Sequence, residues 1–153
     1  MVDFAQRTWV LNDEVTVADM NRIETAIEAL TLIDSTDVGN LTGTVIWDLT
    51  GTVSGVILAQ LSGNAIVRLA GLRRGAQLLV RARQAASGSP FTLTFQSYAS
   101  VTDANAGTPQ QAILVPTVLG AYVATTTLGQ RDEISFLGLG SGVVDMTYVK
   151  GFA

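Results

Sequence analysis

Asp132 and Glu133 are the only adjacent carboxylates in the strand-like part of the chain, and a carboxylate pair is the first place to look for general acid and base chemistry. On a strand, neighbouring side chains point to opposite faces, so these two cannot share one substrate; the pair reads as a strand end whose charge keeps an edge soluble. Asp13 and Glu14 are also adjacent, but they precede a helix and serve its dipole. A serine nucleophile needs a base. With no histidine and no cysteine in the chain, only Lys150, the single lysine, could supply one, and no Ser-Lys motif accompanies it. The same absences remove disulfides, thiolate ligands and the commonest metal ligand. GLGSG, residues 138–142, links two strands instead of opening a helix, so it reads as a hairpin turn and not a phosphate cradle. No catalytic residue, no metal site and no cofactor is expected.

Five arginines, Arg68, Arg73, Arg74, Arg81 and Arg83, are the only charged residues between positions 49 and 102. Arg81 and Arg83 share a strand face, and Arg73 with Arg74 lies in the turn before it, which makes a local basic strip. Nucleic acid is disfavoured as its partner, because the chain carries a net charge of -4 and no lysine or aromatic residue is interleaved with these arginines. Residues 1–48 hold nine acids against Arg7 and Arg22. An acidic foot and a basic middle suit pairing across a subunit contact, or a solvated face. Tyr98, Thr102, Asp103 and Asn105, with Gln110 beside them, offer the stacking and hydrogen bonding that sugars need, and equally the residues that fill any exposed loop.

The elements that must position these groups follow from pattern and length. The 153 residues suit one domain with a short N-terminal appendage, and a charged fraction of only 14% leaves a surface of Thr, Ser, Gly and Gln, or one covered by neighbours. The opening MVDFAQRTWV has no secretory signature, and no apolar run is long enough to span a bilayer. Within WVLNDEVTVADMNRIETAIEAL, residues 9–30, Thr16 can act as N-cap with Asp19 three residues on. Met20, Ile23, Ile27 and Leu30 then recur at helical spacing, which predicts a helix over about 17–32 with one apolar seam. A helix this short is marginal alone, so its seam is covered either by its own domain or by sister chains, and isoleucine at both kinds of seam position favours three or four strands over two. Phe4 and Trp9 are available to anchor the extended lead-in.

IDSTDVGN, residues 33–40, reads as a linker. Beyond it short strands follow one another: LTGTVIWD, LTGTVSGV, VILAQL, NAIVRLA, QLLVRARQ, FTLTFQSY, QAILV, AYVATTT, DEISFLGL and VVDMTYVKGF. The repeated LTGTV, eight residues apart, suits two successive strands joined near Asp48 to Gly51, and two copies are too few for a solenoid. In FTLTFQ, Phe91, Leu93 and Phe95 face one way and Thr92, Thr94 and Gln96 the other; VILAQL is apolar on both faces and so is central or covered. ASVTDANAGTP, residues 99–109, reads as an exposed loop. The expected architecture is mainly β: an antiparallel, jelly-roll-like β-sandwich over 41–153, preceded by an attachment and oligomerisation segment over 1–40 with its one helix.

At VTVADMNRIETAIEAL the chain resembles an element near the N-terminus of tailed-bacteriophage fibre, spike and tail-tip proteins. There a tryptophan and a short turn precede a Thr-x-Ala-x-hydrophobic-Asn-x-Ile-Glu helix, matched here by Trp9, Thr16, Ala18, Met20, Asn21, Ile23 and Glu24. The resemblance covers about 20 residues. Downstream, the LTGTV repeats, the Gly and Thr richness and the final DMTYVKGF are similar in general plan to fibre tips, although the sequence pattern that follows shows no long coiled coil, β-helix repeat or intramolecular chaperone. The resemblance implies a virion structural protein, a short head or tail fibre or spike, trimeric through Met20, Ile23, Ile27 and Leu30 and attached to capsid or tail proteins through Phe4 and Trp9. A host-surface glycan is then a candidate ligand, and no membrane insertion is implied. A capsid decoration protein and a free carbohydrate-binding module are the alternatives.

Overall fold

The structure, a computed structural model, describes residues 34–153 and, before them, only Asn21. The expected helix seam of Met20, Ile23, Ile27 and Leu30 and the anchors Phe4 and Trp9 lie outside the described residues. The unit from Asp34 onward is mainly β, as expected, and forms one sheet of seven strands. In chain order these are β1 (Asp34–Asp48), β2 (Ser54–Ala70), β3 (Gln77–Arg83), β4 (Leu93–Tyr98), β5 (Ile113–Leu114), β6 (Arg131–Gly140) and β7 (Val143–Phe152), with a short helix, Val101–Ala106, between β4 and β5.

The antiparallel expectation is corrected by the pairing. β1 with β2, β2 with β3, β2 with β4 and β5 with β7 are parallel; only β3 with β6 and β6 with β7 are antiparallel. Nor are there two separate sheets. The first half of β2 pairs with β3 and its second half with β4, so the long strand turns a corner between them. Phe95 of β4 and Phe136 of β6 belong to strands that do not pair, yet their rings meet edge to face at 4.9 Å. The continuous sheet has folded so that its inner faces form one core, which holds Leu41, Ile57 and Leu61 together with Val67, Leu69 and Phe95.

Parallel neighbours joined by short connections are possible because each strand bends back before the chain moves on. The chain runs out along Asp34–Leu41, rounds a corner, returns along Gly43–Asp48, rounds a second corner and starts again one strand-spacing away at β2. Gly43 stands beside Ala65 and Ser54 beside Gln77, so a rung uses roughly 22 residues, a period typical of stacked-repeat folds. β3 and β4 make the third rung. The β6–β7 hairpin, closed by Ser141 and Gly142 with φ of 51° and 77°, continues the β3 side of the stack, so GLGSG is the turn expected.

The LTGTV repeat is therefore a corner device and does not mark two strands. Leu41-Thr42-Gly43 rounds the first corner of the first rung and Leu49-Thr50-Gly51 the second; both leucines are buried, both threonines exposed, and Gly43 and Gly51 take φ of 68° and 83°. Leu61-Ser62-Gly63 repeats the pattern one rung on, with Leu61 beside Leu41. The rungs touch through these corners. A Cβ on Gly63 would collide with the Thr42 hydroxyl, and one on Gly71 would stand 2.6 Å from Thr50 Oγ1.

Three further expectations change. IDSTDVGN is no linker: Asp34 to Asn40 pairs with β2, and its turn formers are absorbed by a bulge at Asp37 and Gly39, where Asp37 Oδ1 accepts from Gly39 N at 2.8 Å. AYVATTT is not a strand: Thr125 N donates to the Asp132 carboxylate at 2.7 Å and not to a ladder partner. Residues 101–106 are helical; Ser100 accepts from Asp103 N at 3.1 Å as N-cap, and Gly107 closes the end at φ 76°. VILAQL is central, as expected, between β1 and β3.

Candidate functional site

The alternation along β2, β3 and β6 gives this part of the sheet a dry inner face and an outer face available to ligands. Across β1, β2, β3 and β6 the outer face carries two aligned rows. Asn40, Gln60, Arg83 and Arg131 stand side by side in one, and Asp37, Leu58, Arg81 and Glu133 in the next. Between them lies an open groove of about 440 Å³, lined by Asp37, Asn40, Leu58, Gln60 and the three arginines among others.

Its electrostatics are lopsided. Glu133 Oε1 faces Arg81 Nε at 3.0 Å and Arg131 Nε at 3.9 Å, yet neither Nε–H makes a directed hydrogen bond, so Glu133 compensates both by charge alone. Arg83 donates from Nε to Gly129 O at 2.9 Å and has no carboxylate partner among the described residues. It also stands directly opposite Arg131 in the antiparallel pair, a like-charge juxtaposition that costs stability. Arg131 rests over the Phe152 ring at 6.0 Å. Asp37 is turned to its own backbone in the bulge.

The basic strip of Arg73, Arg74, Arg81 and Arg83 expected from the sequence is dispersed by the fold. Only Arg81 and Arg83 share this face. Arg73 and Arg74 are exposed in the corner at the other end of β3, and Arg68 lies on the opposite layer. There its guanidinium donates to Ala104 O at 2.7 Å and Gln96 Oε1 at 3.1 Å and lies over the Tyr98 ring at 5.7 Å, which occupies it in holding the short helix. Arg131, the missing member of the groove, was hidden in sequence because its neighbour across the sheet is 48 residues away, Arg83.

The loop group is split as well. Tyr98 is buried, its hydroxyl donating to Gln96 Oε1 at 3.0 Å, so its ring offers nothing to a sugar. Thr102 and Asn105 are exposed on the short helix, and Asp103 is half-buried, bonded to its own N-cap. Asp132 and Glu133 take opposite faces, as their spacing requires. Asp132 is 1% exposed and accepts from Tyr122 Oη at 2.9 Å, Thr125 N at 2.7 Å and Gly151 N at 3.0 Å. Burial and the Asp132 charge push the Tyr122 hydroxyl well above its ordinary ionisation range. Lys150 is exposed on β7 and hydrogen-bonds no serine among the described residues.

No family model, curated protein or solved structure matches the chain.

Proposed function

We propose that the protein is a virion structural component of a tailed phage or a related particle, a short fibre or spike that attaches by its N-terminal segment, associates as a homotrimer and displays the stacked-rung β domain outward. The observation that carries this reading is the resemblance of residues 9–30 to the attachment element of such proteins, joined to a β domain whose first rung begins at Asp34. The outer edge of β1, 15 residues long, pairs with no strand among the described residues, and a long free edge is a place where another chain can add. Its action is binding and assembly, with no covalent chemistry. The working trimer contacts are Met20, Ile23, Ile27 and Leu30, and Phe4 and Trp9 dock to the particle.

Labelling intact particles with an antibody to the chain tests the reading. Label at a tail tip or on head fibres supports it; label spread evenly over expanded capsid shells assigns the protein to decoration instead, and no label on particles overturns both.

A further inference from the structure

We propose that the groove on the outer face of β1, β2, β3 and β6 binds an acidic saccharide, its carboxylate held by Arg83 and Arg131 and its hydroxyls by Asn40 and Gln60. The site deepens the display reading, and rests on it only for where such a saccharide would be met.

Three guanidiniums share two carboxylates at the groove, one of which, Asp37, is already engaged by Gly39 N. Placing Arg83 directly across from Arg131 works against sheet stability, so an anion seated between them relieves a repulsion that the fold otherwise retains. A guanidinium pair is a matched receptor for a planar carboxylate.

The rest of the row sets the ligand class. Asn40 and Gln60 are exposed, aligned with Arg83, and their amides make no hydrogen bond among the described residues. An amide both donates and accepts, which suits a sugar hydroxyl. Four strands at about 4.8 Å spacing make the row about 14 Å long, the reach of a short oligosaccharide. A polyphosphate backbone fits less well, since Asp37 and Glu133 flank the arginines and would repel successive phosphates. An extended peptide would look for a free strand edge, whereas these four strands are paired to one another and the row lies on their face.

Calorimetric titration of the full chain with trigalacturonate and with a sialic acid trimer tests the proposal, with maltotriose, inorganic phosphate and a thymidine decanucleotide as controls. The expected result is that at least one acidic trisaccharide binds about tenfold or more tightly than every control. Arg83→Gln and Arg131→Gln should each weaken that binding about tenfold, and Gln60→Ala about threefold. Failure of both acidic trisaccharides to bind, equal binding of phosphate or the oligonucleotide, or binding undiminished in the arginine variants would each overturn it. Location on a particle does not enter this measurement, so the site and the virion reading fail separately.

Discussion

Asp132 is enclosed almost completely, and its stability within the fold rests on three donors drawn from two places: Tyr122 and Thr125 in the segment before β6, and Gly151 near the end of β7. Removing a buried acceptor leaves those donors without partners. Asp132→Ala should therefore cost about 2–4 kcal/mol in denaturant unfolding, and Tyr122→Phe about 1 kcal/mol. The two should couple in a double-mutant cycle, since one removes the partner of the other. Tyr122 also fixes a pH dependence. Its folded-state pKa is raised, so the folded protein favours the neutral hydroxyl. Its contribution is fully present below the ordinary tyrosine range of about 10 and is lost as pH rises above it, because the unfolded chain ionises first. Melting temperatures should fall more steeply above that pH in the parent than in Tyr122→Phe. Gln84, also buried, plays a similar part at the third rung, its amide joining Phe91 N and O to Thr125 O. The opposite facing of Asp132 and Glu133 was legible in sequence from strand period alone. The partners of Asp132 were not, because hydrogen bonding to a carboxylate from distant backbone leaves no periodic trace.

At the scale of elements, the glycine corners carry the stacking. Gly63→Ala should destabilise by about 1–3 kcal/mol, because the new methyl meets the Thr42 hydroxyl in the rung above. Thr42→Ala in the same chain should restore part of the loss. Gly71→Ala should not be restored by Thr50→Ala to the same degree, since Gly71 also sits at φ 77°, where an L side chain is strained. Thermal melts of these four variants separate close approach from backbone strain. Strand identity was largely readable: QLLVRARQ, DEISFLGL and VVDMTYVKGF coincide closely with β3, β6 and β7. Their inward and outward residues followed from alternation, as with Leu93 and Phe95 in β4. Pairing was not readable. LTGTV looks the same whether it begins a strand or rounds a corner, and the parallel rungs are specified by contacts such as Thr42 on Gly63, between residues about one rung apart. IDSTDVGN misleads for a related reason: its turn formers serve a bulge inside a paired strand, where Gly39 takes φ 63°.

Across the described residues from Asp34 onward, the folded sheet separates the work. The inner faces form the core, the outer face of β1, β2, β3 and β6 carries the arginine and amide groove, and the side of β2 beside β4 is partly occupied by the short helix held by Arg68. The groove was half legible: Arg81 and Arg83 were singled out by their shared face, but Arg131, Asn40 and Gln60 join them only when β1, β2, β3 and β6 lie side by side. Substitution of the seam by Ile23→Asp with Ile27→Asp should dissociate the assembly while leaving the melting of the β domain cooperative. Sedimentation equilibrium of the purified full chain at micromolar concentration tests the central claim of a self-assembling structural protein. A single species at three times the 16.1 kDa chain mass is expected. A monomer at that concentration would contradict it.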